Sequence, residues 1–417
     1  MLKMIGDNLS IENVTFESLA NEFGTPCYVY SNEMLINEFL EYEKAFESYP
    51  KTTICYSVKA NSNLSVLNIF NSLGSGFDIV SEGELERIKK VGADPKKVVF
   101  SGVAKSDNEI IKALEFGILF FNVESFDELR AIDRVSGQLG VRARISIRVN
   151  PDIDPKTHPY ISTGLKTSKF GIAIEDSFEA YVEASRMKNI EVVGIDAHIG
   201  SQIFDLKPFE DSLERLENLF YQLKDLKINI EFVDIGGGLG IKYKDSDTPP
   251  TKQEFASRII KIMRKIDCNL VLEPGRSLVG NAGFLVTKAL YKKTSNEKNF
   301  LIVDAGMNDL LRPSLYGAFH KVSRSVKSSG SMESYDIVGP ICETGDVIAH
   351  DVNLNEVNLG ENLVIHSAGA YGSVMSSNYN SRPRVPEVLV SGIKSSLIRK
   401  KELIVQLFQN EVILQDE

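Results

Sequence analysis

Residues 53–61 read TICYSVKAN, a short apolar run that ends in a lysine just before a predicted turn. Most lysines at the end of a strand are ordinary solvated cations. Because Lys59 directly follows a run that is typical of a buried strand, its amine could instead form a Schiff base with a carbonyl group. Taken alone, the run favours the surface cation, so the choice depends on the rest of the chain.

Short apolar strands alternate with amphipathic helical segments from about residue 50 to about residue 280. This alternation predicts a parallel sheet with helices packed on it. Eight strand–helix units in about 250 residues fit a (β/α)8 TIM-like barrel, and a doubly wound open sheet is the alternative. The predicted strands are 53–58, 76–80, 98–102, 118–123, 145–149, 192–199, 231–235 and 269–272.

Polar or glycine residues stand at the ends of these strands. In a barrel, the carboxyl ends of the strands carry the active site. The residues in these places are Lys59, Asp78, Ser101, Asn122, Arg148, His198, Gly236–Gly238 and Glu273.

The pattern changes after residue 280, where helical periodicity is scarce. We predict an all-β second domain there, with an exposed loop at the Ser-, Lys- and Arg-rich stretch 323–334. Its predicted strands are 283–290, 299–303, 334–338, 346–350, 362–365 and 386–390.

The net charge of −10 argues against nucleic acid or an anionic membrane as the main partner. The N-terminus shows no signal-peptide pattern, and no apolar run approaches the ~20 residues of a membrane span. The four cysteines are scattered and form no CxxC pair. We therefore expect no disulfide framework and no metal site, and a cytoplasmic location fits.

Two glycine-bearing segments follow the seventh and eighth predicted strands, DIGGGLG at 234–240 and EPGR at 273–276. Loops in these places commonly form the phosphate site of a barrel, because glycines let backbone N–H groups approach an anion. Arg276 would add a charge-assisted donor, and Glu273 could meet a cationic ring nitrogen. A tight turn and a surface Glu–Arg pair are the structural alternatives.

Five further residues are candidates for chemistry. His198 could stack on a planar cofactor or shuttle a proton, although a lone histidine is more often a core residue. Cys342 could donate a proton, although a free cysteine is more often a small buried apolar group. Arg312, Tyr316 and Tyr371 suit carboxylate recognition, although single residues of these types are often structural.

Together these segments resemble the diaminopimelate decarboxylases of the alanine-racemase-like (fold type III) pyridoxal-phosphate enzymes. The matching motifs run in the family's order over nearly the whole chain. They are YSVKAN at 56–61, FDIVS at 77–81 with GEL at 83–85, HIGSQ at 198–202, DIGGG at 234–238, EPGR at 273–276, DAGM at 304–307, CETGD at 342–346 and GAYG at 369–372.

The resemblance implies a domain order. A barrel would span residues 36–280 and a C-terminal β-sandwich or β-barrel domain residues 281–417, while the N-terminal segment 1–35 would add a strand, residues 26–30, to the β domain. It also implies a homodimer with shared active sites, in which Cys342 of the partner subunit enters the site.

The resemblance further implies pyridoxal 5'-phosphate as cofactor and a role for each matched residue. Lys59 would carry the cofactor covalently, His198 would stack on its ring, and Glu273 would pair with the ring nitrogen. The expected catalytic residues are Lys59, His198 and Cys342. The expected cofactor contacts are Lys59, Asp78, His198, Ser201, Gly236, Gly237, Gly238, Glu273, Gly275, Arg276 and Tyr371, and the expected substrate contacts are Arg276, Arg312, Tyr316, Glu343 and Tyr371.

The implied activity is the decarboxylation of meso-diaminopimelate to L-lysine, the last step of lysine biosynthesis. An ornithine- or arginine-type decarboxylase of the same fold is the alternative, but such enzymes tend to carry Asp where this chain has Glu343. Alanine racemases use a tyrosine base instead of a cysteine. Pyridoxal-phosphate homeostasis proteins are a single barrel, and a carbohydrate- or nucleotide-binding barrel would leave Lys59 and Glu273 unexplained.

The chain departs from the family pattern at Asp196, where several family members have a further histidine. Asp196 lies two residues before His198, so both side chains point to the same face of the predicted strand. This departure therefore puts the fine tuning of the cofactor in doubt. The long segment Pro151–Gly171 between a strand and a helix is a predicted lid.

Overall fold

The computed structural model describes residues 2–154, 163–164, 168–295 and 298–414. Its strands are β1 Leu2–Ile5, β2 Asn8–Ile11, β3 Val14–Thr15, β4 Cys27–Ser31, β5 Thr52–Ser57, β6 Gly76–Ile79, β7 Val98–Phe100, β8 Phe120–Val123, β9 Ala143–Asn150, β10 Ile172–Ala173, β11 Ile190–Asp196, β12 Phe232–Asp234, β13 Asn269–Leu272, β14 Gly283–Ser295, β15 Lys298–Val303, β16 Val322–Arg324, β17 Met332–Val338, β18 Val347–Asn355, β19 Asn362–Ile365, β20 Glu387–Ser391 and β21 Lys394–Arg399. Its α-helices are α1 Phe16–Phe23, α2 Asn32–Phe46, α3 Leu64–Ser72, α4 Glu82–Lys90, α5 Asp107–Phe116, α6 Phe126–Leu139, α7 Ile174–Arg186, α8 Lys207–Asp225, α9 Lys252–Ile266, α10 Arg276–Val279 and α11 Arg312–Tyr316.

The chain divides into two units. The barrel unit consists of Ile36–Ile241 and Thr248–Leu278, and the sheet unit consists of Met1–Leu35, Lys242–Asp247 and Val279–Glu417. The short segment Lys242–Asp247 thus groups with the sheet unit, although it lies inside the range 36–280 that the sequence predicts for the barrel.

Parallel strands close on themselves in the barrel unit. The order is β5-β6-β7-β8-β9-β11-β12-β13, with β13 pairing back to β5 and the short strand β10 added beside β9. Helices follow most of these strands, so the connections have the form of repeated βα units. The predicted (β/α)8 barrel is confirmed, and the doubly wound open sheet is excluded by the closing β13–β5 pair.

Helices of the barrel unit begin at side chains that cap them. Asn63, Ser81, Ser106, Ser125 and Thr251 each accept a hydrogen bond from a backbone N–H in the first turn of the helix that follows. Such a cap contributes about 0.5–2 kcal/mol. These residues fix where each helix starts after its strand, and hence the length of the loop between them.

The N-terminal strand β4 lies inside the sheet of the second unit, between β14 and β20. Val29 pairs with Phe284 of β14 on one side and with Val388 of β20 on the other. The prediction that the β domain takes an N-terminal strand is therefore confirmed. The core around this strand consists of Ile11, Phe16, Leu19, Ala20, Cys27, Val29, Phe284, Val286, Val364, Val388 and Val390.

The stretch 323–334 is not a single exposed loop, so that prediction is wrong. Val322–Arg324 pairs antiparallel with β19, and Met332 begins β17. A strand of three residues is too short to show a period of two in the sequence. Residues 155–162 and 165–167 of the predicted lid 151–171 lie outside the described residues. No helix within the described ranges is long and apolar enough to cross a membrane.

Candidate active site

Lys59 lies at the carboxyl end of the first barrel strand. The strand ends at Ser57, and Val58–Ala60 form a single 3-10 turn, so Val58 is not part of the strand as predicted. Lys59 Nζ is 2.9 Å from Oδ2 of Asp78, which belongs to the neighbouring strand β6 and is fully buried. Ser57 Oγ donates to the same oxygen at 2.6 Å. The amine is therefore tethered at the barrel opening instead of pointing freely into solvent.

A pair of buried carboxyl groups lies at the carboxyl ends of the seventh and eighth strands. Asp234 ends β12, Glu273 follows β13, and the two share a hydrogen bond. Burial, and then the negative charge of Asp78, raise the pKa of Glu273 to about 7. The amide nitrogen of Asn122 lies 3.3 Å from Glu273 Oε1 and 3.4 Å from Asp234 Oδ2. Near neutral pH this pair can hold or release a proton.

His198 is held as a neutral ring at the exit of the sixth strand. The backbone N–H of Gly237 donates to its Nδ1 at 3.2 Å, which leaves the ring proton on Nε2. Burial, and then the positive charges of Arg148 and Lys59, lower its pKa well below the usual range. Gly236 has φ of +64°, and a Cβ there would lie 2.5 Å from Nδ1, so this turn needs glycine.

The turns after the seventh and eighth strands lie against each other. A Cβ on Gly237 would lie 2.2 Å from the carbonyl oxygen of Glu273, so only glycine permits this approach. Arg276 donates through Nε and Nη2 to Ser201 Oγ at 3.2 and 3.1 Å. A buried guanidinium beside a hydroxyl and two glycine turns is suited to holding an oxyanion.

The donor set at this end of the barrel fits pyridoxal phosphate. It offers the amine of Lys59, a buried acid in Glu273, a neutral ring in His198 and an anion-binding group in Arg276. Oδ1 of Asp78 is buried and has no hydrogen-bond partner among the described residues. A buried polar atom of this kind is costly unless something satisfies it. Both the residue types and this oxygen suit a bound polar cofactor.

The remaining predicted site residues belong to the sheet unit. Arg312 Nη1 lies 2.8 Å from Nε2 of His320, whose Nδ1 lies 2.9 Å from a backbone carbonyl. Because an arginine and a carbonyl have fixed hydrogen-bond roles, His320 is neutral, with its proton on Nδ1. The guanidinium also lies over the ring of Tyr243, 4.8 Å from its centre. Arg312 is thus rigidly oriented, whereas Tyr316, its neighbour on α11, is half-buried.

Cys342 and Glu343 are exposed on the sheet unit. The backbone N–H of Cys342 donates to Asn380 Oδ1 at 2.9 Å, and the hydroxyl of Tyr379 donates to Glu343 Oε2 at 2.7 Å. Tyr371 is half-buried and has φ of +55°. These contacts hold the segment in place while leaving both side chains accessible. Cys342 is therefore not a small buried apolar group, which was the alternative interpretation of this residue.

A buried ion network joins the third, fourth and fifth strands, and the sequence prediction missed its organising residue. Glu124 accepts from Arg148 Nη1 at 2.8 Å, from the N–H of Gly102 at 3.1 Å and from the N–H of Gly171 at 2.8 Å. Asn122 and Arg148 stand at predicted strand ends, but Glu124 lies one residue past its strand. A polar residue just beyond a strand end is the signal that could have identified it.

The structure brings one group of predicted site residues together at the carboxyl end of the barrel. The group comprises Lys59, Asp78, His198, Ser201, Gly236, Gly237, Gly238, Glu273, Gly275 and Arg276. The others, Arg312, Tyr316, Cys342, Glu343 and Tyr371, lie in the sheet unit. The individual roles of all these residues remain predictions.

Comparison with known proteins gives the same picture. Residues 33–280 match the family model of the pyridoxal-binding domain of pyridoxal-dependent decarboxylases. Diaminopimelate decarboxylase of Aquifex aeolicus is 48% identical over 94% of this chain and 93% of its own length. The relative of the same name from Vibrio cholerae is 49% identical over 97% of this chain and 96% of its own length.

Solved structures agree. Diaminopimelate decarboxylase of Helicobacter pylori, complexed with L-lysine, superposes with a TM-score of 0.92 at 43% identity, covering 95% of this chain and 99% of that chain. A lysine/ornithine decarboxylase of Vibrio vulnificus, at 20% identity and a TM-score of 0.80 over 90% of this chain and 97% of its own, shares the fold. The chain therefore belongs to the diaminopimelate decarboxylase family of pyridoxal-phosphate-dependent decarboxylases.

Proposed function

We propose that this chain decarboxylates meso-diaminopimelate to L-lysine and CO2 with pyridoxal phosphate as cofactor, the last step of lysine biosynthesis. The observation that carries the proposal is the tethered amine of Lys59, 2.9 Å from Asp78, in the same barrel opening as the buried acid Glu273. Relatives that carry this activity in their names are almost half identical over nearly the whole chain.

Residues of the barrel unit would bind and orient the cofactor. When bound, the cofactor supplies a sink for the electrons of the bond that breaks. Glu273 would keep a proton on the ring nitrogen, because a buried carboxylate is stabilised by a cation beside it. His198, neutral and fixed by Gly237, would lie against the ring. Arg276 with Ser201 would bind the phosphate.

Residues of the sheet unit would recognise the substrate. Its far end is an amino-acid group with one carboxylate and one ammonium. Arg312, oriented by His320, suits the carboxylate, and Glu343 suits the ammonium. Arg276, Tyr316 and Tyr371 would complete this contact. Cys342 would deliver a proton to the carbon that loses CO2.

A homodimer with shared active sites would supply Cys342 and Glu343 from the partner subunit. The exposure of both side chains, on a loop fixed by Asn380 and Tyr379, supports this proposal. Mass measurement in solution tests the dimer itself, and a monomeric active enzyme would refute it. We propose a cytoplasmic location on the basis of the scattered cysteines.

Chemical trapping tests the cofactor claim. Borohydride reduction of the purified protein should leave a pyridoxyl group on the peptide that contains Lys59, and mass spectrometry identifies that peptide. A pyridoxyl group on another residue would refute the assignment.

A substrate screen tests the specificity. Turnover should be much faster with meso-diaminopimelate than with ornithine, arginine or lysine. A preference for ornithine or arginine would instead favour the basic amino-acid decarboxylases of the same fold.

A further inference from the structure

A buried aspartate holds the loop that carries Glu343, residues 341–346. Asp346 Oδ1 accepts a hydrogen bond from the N–H of Met307 at 2.6 Å, and its Oδ2 accepts one from the N–H of Ile341 at 2.7 Å. The N–H of Asp346 itself donates to the carbonyl oxygen of Glu343 at 3.1 Å. The main chain of the loop is therefore fixed on both sides of Glu343.

A second turn, residues 377–382, contacts this loop through two consecutive side chains. Asn380 Oδ1 accepts a hydrogen bond from the backbone N–H of Cys342 at 2.9 Å. The hydroxyl of Tyr379 donates to Glu343 Oε2 at 2.7 Å. One side chain of the turn thus fixes the main chain of the loop, and the other fixes the direction of the Glu343 carboxylate.

The turn that carries Tyr379 is held in an unusual conformation. Asn380 and Ser381 both have φ of +55°, in the left-handed region that residues with a Cβ seldom adopt. Such a conformation persists where surrounding contacts hold it, and it is frequent at functional sites. Here Asn378 Nδ2 donates to the carbonyl oxygen of Arg382 at 3.0 Å, and Arg382 Nη2 donates to that of Asp304 at 3.1 Å. The fold therefore fixes the main chain on which Tyr379 stands.

The hydrogen bond from Tyr379 prepares Glu343 to bind a cation. An exposed glutamate otherwise moves among several rotamers, and a ligand that needs one of them must pay for ordering the side chain. A side chain that is fixed before the ligand arrives lowers this cost. The bond uses Oε2, so Oε1 can still accept a hydrogen bond from an ammonium group, which has three protons to donate.

We propose that Tyr379 is a specificity-determining residue that positions Glu343 for ligands whose far end carries an ammonium group. The inference rests on the proposed function, which assigns Glu343 to the ammonium and Arg312 to the carboxylate of that end. Removal of the hydroxyl leaves the charge of Glu343 in place but frees its direction. The loss of affinity is therefore confined to ligands that have the far ammonium.

Two ligands that differ only in this group test the proposal. L-Lysine is the product of the proposed reaction, and 6-aminohexanoate has the same chain and both end groups but no α-ammonium. Calorimetric titration of the protein with its cofactor bound gives the affinity for each, and the parent should prefer L-lysine. In Tyr379→Phe, the affinity for L-lysine should fall by roughly 3–10-fold, while that for 6-aminohexanoate stays within about twofold of the parent.

Tyr335→Phe is the matched control. It also removes a hydrogen bond from a tyrosine hydroxyl to a glutamate, Glu333, in strand β17 of the same unit. Both affinities should equal those of the parent. A general disturbance of the sheet unit would instead weaken both ligands together, whereas loss of the Tyr379 hydroxyl changes their ratio.

An unchanged ratio of the two affinities in Tyr379→Phe, or an equal change of the ratio in Tyr335→Phe, would overturn the proposal. So would a parent protein that does not prefer L-lysine. The proposed function fails separately. A protein that shows the predicted ratios but does not decarboxylate meso-diaminopimelate would refute the reaction and leave the role of Tyr379 in ligand binding.

Discussion

Glu273 is a buried acid whose proton affinity opposes folding at high pH. Its pKa rises from 4.5 in the unfolded chain to about 7 in the fold. Between these two pH values the folded state binds more protons than the unfolded state. The contribution of Glu273 to the free energy of unfolding therefore falls as pH rises. In protein freed of cofactor, Glu273→Gln should reduce this pH-dependent loss of stability, by a few kcal/mol at most. Urea unfolding at about pH 5 and pH 8 measures the difference.

The control for this prediction is Glu254→Gln. Glu254 is exposed and its pKa is lowered, mainly by hydrogen bonds from Thr251 at the start of α9. Its carboxylate therefore stabilises the fold as pH rises, and replacing it should not reduce the loss of stability between about pH 5 and pH 8. If Glu273→Gln and the parent lose equal stability between the two pH values, Glu273 does not carry the proton that we assign to it.

Cys342 is accessible, so its replacement tests chemistry without disturbing a core. Cys342→Ala should slow turnover of meso-diaminopimelate by roughly 10²–10⁴-fold, which is the usual effect of losing a proton donor. Cofactor affinity should remain that of the parent. Steady-state rates and cofactor titration measure the two quantities. Full turnover by the variant would remove Cys342 from the mechanism.

Single residues show where sequence reasoning succeeds and where it stops. Lys59 and Glu273 could be identified because their motifs place them at the ends of predicted strands. The contact between Glu124 and Arg148 could not, because it joins the residue just after β8 to a side chain within the neighbouring strand β9. The sequence identifies the residue that ends a strand, but its partner on the neighbouring strand follows from the register of the two strands.

At the scale of elements, the turn after β12 depends on close backbone contact with the exit of β13. A Cβ on Gly237 would lie 2.2 Å from the carbonyl oxygen of Glu273. Gly237→Ala should therefore push these turns apart, cost about 1–3 kcal/mol of stability and weaken cofactor binding. Thermal unfolding and cofactor titration measure both effects.

Gly83→Ala is the matched control for that substitution. It lies in α4, and a Cβ there would come no nearer than 3.8 Å to Ser81 Oγ. Alanine in a helix should stabilise the protein by about 0.5–1 kcal/mol. Equal losses of stability in both variants would show that steric contact at Gly237 is not the cause.

Elements whose buried residues recur with a regular period could be predicted from the sequence, and mostly exposed strands could not. The eight barrel strands alternate with helices whose apolar period is clear, so their order could be predicted. Strand β21 is half exposed and reads KSSLIR, and the short hairpin strand β1 is mostly exposed. Edge strands of this kind bury too little to leave an apolar pattern, which is why the sequence prediction missed them.

At the scale of the whole molecule, shared sites predict that two inactive proteins restore activity to each other. Lys59→Ala and Cys342→Ala chains, unfolded and refolded together, should regain about one quarter of the parent activity. Half of the dimers are then mixed, and each mixed dimer has one intact site. Rate measurement after refolding checks this value.

The control mixes Lys59→Ala with Glu273→Gln. Both residues lie in the barrel unit, so every site in a mixed dimer keeps one defect and no activity should return. Recovery in neither mixture would argue for sites that lie within a single chain.

The position of β4 in the middle of its sheet also governs how the protein is made. Tyr30 pairs with Gly283, roughly 250 residues further along the chain. At about 5–20 residues per second, a ribosome needs on the order of 10–50 seconds to synthesise that stretch. During this interval β4 lacks its neighbouring strands β14 and β20, because the barrel sequence is synthesised before them. We therefore expect β4 to be a site of aggregation or of chaperone capture in the nascent chain.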